Sequence, residues 1–197
     1  MNNIVDVTDI DIFYISFDEP NMEENWADLK SKCPWAKRTH GVYGSDAAHK
    51  ACAEASDTER FISVDGDNVV DPAFFDQVIN FSEADVNLEN SVISWCGKNS
   101  INGLVYGNGG IKCWPVEYVK NMKTHEIAED EGSQVDFCWD LNYIQMNDAF
   151  SLVVNNDTPY QAYRAGFREG VKMSLDRGYK VDPDNFEKSL HLSLIHI

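Results

Sequence analysis

Basic residues are scarce in this chain: 16 lysines and arginines stand against 33 aspartates and glutamates, and the formal net charge is −17 at pH 7. So acidic a surface argues against a protein that coats nucleic acid over its whole exterior, though it leaves room for a local basic groove. Long apolar runs are absent. None approaches the roughly 20 residues of a helical membrane span, and the acidic opening MNNIVDVTDID lacks the basic segment of a secretory signal. Cysteine is sparse: Cys33, Cys52, Cys96, Cys113 and Cys138 are odd in number and contain no CxxC pair. That pattern speaks against a disulfide framework or a zinc site and fits reduced thiols, so a cytoplasmic location is expected.

What is present is enough to fold. An apolar share of 43% with 12% aromatic residues lets a chain of 197 residues bury a full core as one domain. Residues 11–17, DIFYISF, are aromatic and β-branched and read as a first strand. Asp18-Glu19-Pro20-Asn21 breaks it, and a helix is expected from about Met22 to Lys32. A short strand near Val42 is stopped by Gly44-Ser45-Asp46, with Ser45 or Asp46 capping a helix over AAHKACAEA. The third strand, 61–64, ends in Asp65-Gly66-Asp67-Asn68. Strand, helix, strand, helix, strand is the order of a parallel α/β sheet, in which ligands sit beyond the carboxyl ends of the strands. Asp18, Gly44-Ser45 and Asp65-Asp67 all fall at such ends.

The second half is less regular. Residues 86–96 and 101–106 read as strands joined by a turn at Gly97–Ser100, and Gly107-Asn108-Gly109-Gly110 suggests backbone packed close to a ligand or another loop. A short helix is expected over 115–123, starting at Pro115, and an acidic loop over 124–136. DFCWDLNYIQM fits a strand or a helix. Residues 159–177 read as a helix capped by Thr158, opened by Pro159 and ended by Gly178. Arg164, Arg168 and Lys172 recur every four residues on one face of it, a candidate phosphate-binding stripe or a solvated face. Residues 191–197, ending LSLIHI, bear no relation to the preceding pattern. They resemble translated sequencing adapter, and a non-native tail is expected there.

The acidic pair is the sharpest chemical signal. Two carboxylates at the end of a buried strand are costly unless neutralised. Mg²⁺ or Mn²⁺ carrying a phosphate-bearing ligand would do so, since both prefer hard oxygen donors. The bland alternative is a solvated Asp-Gly-Asp-Asn turn.

The run FISVDGDNVVDPAFF resembles the DxD region of GT-A glycosyltransferases of the family 2-like set. ISFDEPN resembles their first strand and base-binding loop, GSDAAHKACAEA the segment that passes the nucleotide, and NGLVYGNGGIKCWP the glycine-bearing acceptor-side loop. The ordered set, over residues 11–180, is most similar to small glycosyltransferases of tailed phages. The resemblance implies a GT-A fold, Rossmann-like, with a mostly parallel central sheet and helices on both faces. It implies a single domain over 1–190, with a nucleotide-binding half at about 11–80 and an acceptor-side half at about 81–180. A nucleotide-sugar donor and Mn²⁺ or Mg²⁺ follow, the acceptor being a glycan or a modified DNA base, in a host cytoplasm if phage-encoded.

Residue by residue, the resemblance makes Asp67 the metal ligand and places Asp65 nearer the ribose or sugar, with Gly66 between them. Asp18, Glu19, Asn21, Gly44, Ser45 and Asp46 become candidate donor contacts, and Asn108, Gly109, Gly110 and Trp114 acceptor-side ones. Asp136 and Asp140, in VDFCWDLNY, stand where the family often carries an acid that deprotonates the acceptor. The ring of Trp139 beside Asp140 would raise its proton affinity. His125 is a candidate third metal ligand. Trp95, Trp114 and Trp139 fit sugar or base stacking, or core packing.

Three other readings remain. Asp65-Gly66-Asp67-Asn68-Val69 also matches the nucleophile motif of haloacid-dehalogenase-type phosphatases. That family places its motif on the first strand and needs a later acidic pair, whereas two βα units precede the motif here. A nucleotidyltransferase would open with a glycine-rich loop, and ISFDEPN has no glycine. A non-catalytic nucleotide- or carbohydrate-binding module would use the same carboxylates without turnover.

Overall fold

The computed structural model describes residues 4–81, 88–127, 142–173, 175–176 and 179–180. The chain opens with β1 (Ile4–Asp6) and β2 (Asp11–Ser16), followed by α1 (Met22–Lys32), β3 (Lys37–His40), α2 (Ser45–Ala55) and β4 (Arg60–Asp65). Then come β5 (Asn68–Val70), β6 (Val78–Asn80), β7 (Ser91–Asn99), β8 (Val105–Tyr106), β9 (Ile111–Pro115) and α3 (Val116–Asn121). The long β10 (Asn142–Val153) and α4 (Pro159–Met173) follow, and two short strands, β11 (Leu175–Asp176) and β12 (Tyr179–Lys180), pair with each other.

The central sheet has the order β3-β2-β4-β9-β7-β10-β5, with β8 on β7. β3, β2, β4, β7 and β10 run one way, and β9 and β5 run against them. The fold is thus mixed α/β with a mostly parallel sheet. β9, from the second half of the chain, pairs antiparallel with β4 from the first.

Alternation along the strands assigns the two faces. Ile12, Tyr14, Ile62, Val64, Ile93, Trp95 and Cys113 pack on one side with Leu29 and Cys33 from α1 and its end. Phe13, Phe61, Val92 and Trp114 pack on the other with Cys52 and Ala53 of α2 and Val116 and Val119 of α3. Helices therefore cover both faces. Cys33, Cys52, Cys96 and Cys113 are buried and unbridged. No helix among the described residues is long and apolar enough to cross a membrane.

Several elements differ from their sequence expectation. The second strand lies at Lys37–His40 and not near Val42, because its pairing with Phe13–Ser16 fixes it earlier. β7 runs through Gly97 to Asn99, and its edge is completed by β8 and β10. Asp71-Pro72 opens a 3₁₀ turn, with the Asp71 side chain accepting from the Ala73 amide. The undecided stretch is strand from Asn142 onward.

One side chain ties the sheet together at its amino end. The Arg60 guanidinium donates to the carbonyls of Leu88 at 2.5 Å, Ser91 at 2.6 Å and Cys113 at 3.0 Å. It thereby joins β4 to β9 and to the lead into β7. Charge-assisted bonds are the strong ones, and removing the donor strands buried carbonyls. Arg60→Met should lower the unfolding free energy by about 2–4 kcal/mol, read by urea denaturation. A change near zero would mean that the sheet does not depend on this clamp.

Candidate functional site

β4 carries the buried apolar residues Phe61, Ile62 and Val64 to the carboxyl edge of the sheet, where Asp65-Gly66-Asp67 turns the chain into β5. The Asp65 amide donates to Gly110 O at 2.9 Å, and the Asp67 carbonyl accepts from Val154 N at 2.7 Å. Gly66 is required by space: a Cβ there would lie 2.8 Å from Glu19 Oε2 and 3.0 Å from Ile15 O. Glu19 is in turn held by the Phe17 amide at 2.8 Å. Asp67 Oδ1 accepts from Asn68 Nδ2 at 2.7 Å. Asn68 is buried, and its own Oδ1 has no hydrogen-bond partner among the described residues.

The charges here oppose one another. Burial first, then Asp65 and Glu19, push the Asp67 carboxyl up to about 6, against the pull of Arg168 and the Asn68 bond. The phenol of Tyr106, on β8, is pushed up to about 12 by burial and then by Asp67, Glu169 and Asp65.

The acidic turn borders a cleft of about 480 Å³ between Asp18-Glu19-Pro20, Asp67 and one face of α4. Tyr160, Tyr163, Arg164, Phe167 and Arg168 line the helical wall. Thr158 Oγ1 caps the helix by accepting from Gln161 N at 3.2 Å. Arg164 Nη1 donates to both Asp18 oxygens at 3.0 Å. The Gln161 amide reaches Val154 O at 3.2 Å and Asn21 Oδ1 at 3.4 Å. Helix and loop are therefore joined by polar contacts across the cleft.

The expected site residues divide. Asp18, Glu19, Asp67, Arg164 and Arg168 share the cleft. Asn21 is buried and donates to Val154 O at 3.0 Å, holding the wall. Gly44, Ser45 and Asp46 were expected to contact a donor and are engaged elsewhere. Glu126 accepts from the Asp46 and Ala47 amides at 3.1 and 2.9 Å, so the cap of α2 comes from a distant carboxylate, not from Ser45 or Asp46. Gly44 sits at φ 101, and a Cβ there would run into Glu126. Asp46 itself accepts from Thr124 N at 2.9 Å and pairs with Lys50 at 2.8 Å.

Trp114, expected on the acceptor side, is core: it is fully buried, donates to Ser63 Oγ at 2.8 Å and meets the His49 ring at 4.8 Å. Trp95 is core as well. Gly109 packs its backbone on Trp95, where a Cβ would fall 2.6 Å from the carbonyl, and Gly110 abuts the Asn68 amide. Asn108 is exposed at φ 56 and accepts from Tyr143 OH at 3.0 Å. Asp136, Asp140 and Trp139 lie outside the described residues, as does the 191–197 tail, and the Lys172 side chain is likewise not described. Sequence reading missed Glu126 and Tyr106, whose roles depend on strand and loop placement that no local pattern encodes.

The metal set of Asp65, Asp67 and His125 also needs correction. Among the described residues no three His, Cys, Asp or Glu side chains are grouped to hold a metal ion. His125 stands at φ 50 with Nδ1 3.0 Å from Thr124 Oγ1, in the segment clasped to α2. The carboxylates alone still fit a divalent cation. Asp67 is crowded by Asp65 and Glu19, all hard oxygen donors, and Mg²⁺ is usually held by one or two carboxylates with phosphate oxygens and water completing the shell.

No protein-family model matches this sequence, and no curated protein matches it. Similar solved structures include a glycosyltransferase involved in glycosylation of the major capsid of PBCV-1, at 14% identity and TM-score 0.43, over 81% of this chain and 99% of that one. HddC from Yersinia pseudotuberculosis is another, at 12% identity and TM-score 0.40, over 82% of this chain and 80% of its own. The same protein complexed with GMP-PN is similar at 10% identity and TM-score 0.43, over 81% and 99%. At these scores the likeness assigns neither a family nor an activity to this chain.

Asp67 makes stability depend on pH. Between its usual 3.8 and about 6, the unfolded chain has lost this proton while the folded chain keeps it. Stability therefore falls as pH rises through that window and stays lowered above it. Asp67→Asn should melt higher than the wild type at pH 7.5, with the gap closing towards pH 4. An equal gap at both pH values would refute the crowding of charge at this turn.

Proposed function

We propose that this chain is a metal-dependent glycosyltransferase that moves a sugar from a nucleoside-diphosphate sugar to an acceptor hydroxyl. The observation that carries the reading is the Asp65-Gly66-Asp67 turn at the carboxyl end of β4, opening on a cleft whose opposite wall carries Arg164 and Arg168. Acid on one side and guanidinium on the other suit a diphosphate together with a divalent cation, which Asp65 and Asp67 would hold. The cation, when bound, neutralises the charge that develops on the leaving diphosphate.

The chain's own residues divide the remaining work. Asp67 is the principal ligand and Asp65 supports it. Arg168, which lines the cleft and whose charge acts on Asp67, would receive phosphate oxygen. Asp18 and Glu19 border the same cleft and are the candidate contacts to ribose and base. Asp136 and Asp140 stay as candidate bases for the acceptor proton. A glycan is favoured as acceptor over a modified DNA base, because the net charge of −17 disfavours a polyanion. A relationship to the small transferases of tailed phages remains part of this proposal.

Asp67→Ala should cut Mn²⁺-dependent hydrolysis of the accepted nucleotide sugar by on the order of a hundredfold or more, with circular dichroism unchanged. EDTA should do the same to the wild type. Full turnover of the variant in EDTA would sink the proposal.

A further inference from the structure

We propose that Tyr14 and Asn25 are positioning residues for the acidic turn: together they hold the Gly66 carbonyl and so fix where the Asp67 carboxylate points. The inference rests on the metal-binding reading above and extends it to two buried residues that do not themselves line the cleft.

Tyr14 stands in the middle of β2, fully buried. Its hydroxyl lies 2.6 Å from Gly66 O and 3.0 Å from Met22 O. A phenol has one proton and both neighbours are acceptors, so the closer carbonyl, Gly66, is the principal partner. Asn25, on α1 and 5% exposed, donates its Nδ2 to the same Gly66 oxygen at 3.0 Å. Both lone pairs of that oxygen are thereby engaged.

A buried hydroxyl and a buried amide each cost stability unless bonded. Phe at 14 and an apolar residue at 25 would pack the same layer, so the polar atoms need a reason, and the Gly66 carbonyl supplies it. The neighbouring peptide groups of the turn are held independently, Asp65 N by Gly110 O and Asp67 O by Val154 N. The Gly66–Asp67 peptide is the remaining hinge of the turn. Its rotation would swing Asp67 and would break the Tyr14 and Asn25 bonds together. Because Tyr14 also touches Met22 O in the first turn of α1, it links that turn to the helix start that follows the Asp18–Asn21 loop.

The test is Mn²⁺ binding, with Mn²⁺ alone as the probe, followed by electron paramagnetic resonance on folded protein well below its melting temperature. Tyr14→Phe and Asn25→Ala should each weaken the Kd by about tenfold, the scale of lost outer-shell support at metal sites. Leu29→Ala is the control, since Leu29 is buried on α1 and belongs to the apolar core on that side of the sheet. It should lower the melting temperature at least as far as Tyr14→Phe while keeping the wild-type Kd. A wild-type Kd in Tyr14→Phe, or an equal loss in Leu29→Ala, overturns the proposal. Absence of Mn²⁺ binding by the wild type overturns the metal reading itself and this inference with it.

Discussion

Negative charge is crowded where β4 meets β5, and the architecture around it is arranged to tolerate that crowding. Asp67 is desolvated and faces Asp65 and Glu19, which raises its proton affinity, while Arg168 relieves it only in part. Such a turn relaxes in one of two ways. Either a proton stays on Asp67 at mildly acidic pH, or a cation takes its place. The residues nearby hold the turn in position. Gly66 admits Glu19, Gly110 and Val154 hold the flanking peptides, and Tyr14 with Asn25 holds the one between. A fold optimised for stability alone would have placed neutral residues there.

Within the first 70 residues, β2, α1 and β4 were legible because their signals are local. β2 is a dense aromatic and β-branched run, α1 begins after the breaker Asp18–Asn21 and ends where expected, and β4 stops at its acidic pair. β1 and β6 were missed: each has three residues and exists through pairing with the other. The antiparallel place of β9 between β4 and β7 follows from long-range register, which no window of sequence contains.

The candidate site was legible in chemistry and less so in assignment. Asp67, Asp18, Glu19, Arg164 and Arg168 do share one cleft, although about a hundred residues of chain separate Asp67 from Arg168. Gly44–Asp46 misled because a helix start after a strand looks alike whether its amides serve a ligand or a carboxylate from the same chain; here Glu126 takes them. Trp114 was left between stacking and core packing because a tryptophan beside a glycine-rich loop signals either, and its bond to Ser63 in the core depends on the β4–β9 register. Arg164 was read as part of a candidate phosphate stripe or a solvated face, and it is paired with Asp18, so a phosphate there would have to compete with that carboxylate.

The most direct measurement is the melting temperature of the full chain against a panel of nucleoside-diphosphate sugars at pH 7.5, each with Mn²⁺ and with EDTA. Ligand that binds only the folded state raises that temperature. A metal-bridged diphosphate on Asp65 and Asp67 predicts stabilisation by at least one donor with Mn²⁺ and none with EDTA. Equal stabilisation under both conditions, or none across the panel, would contradict it.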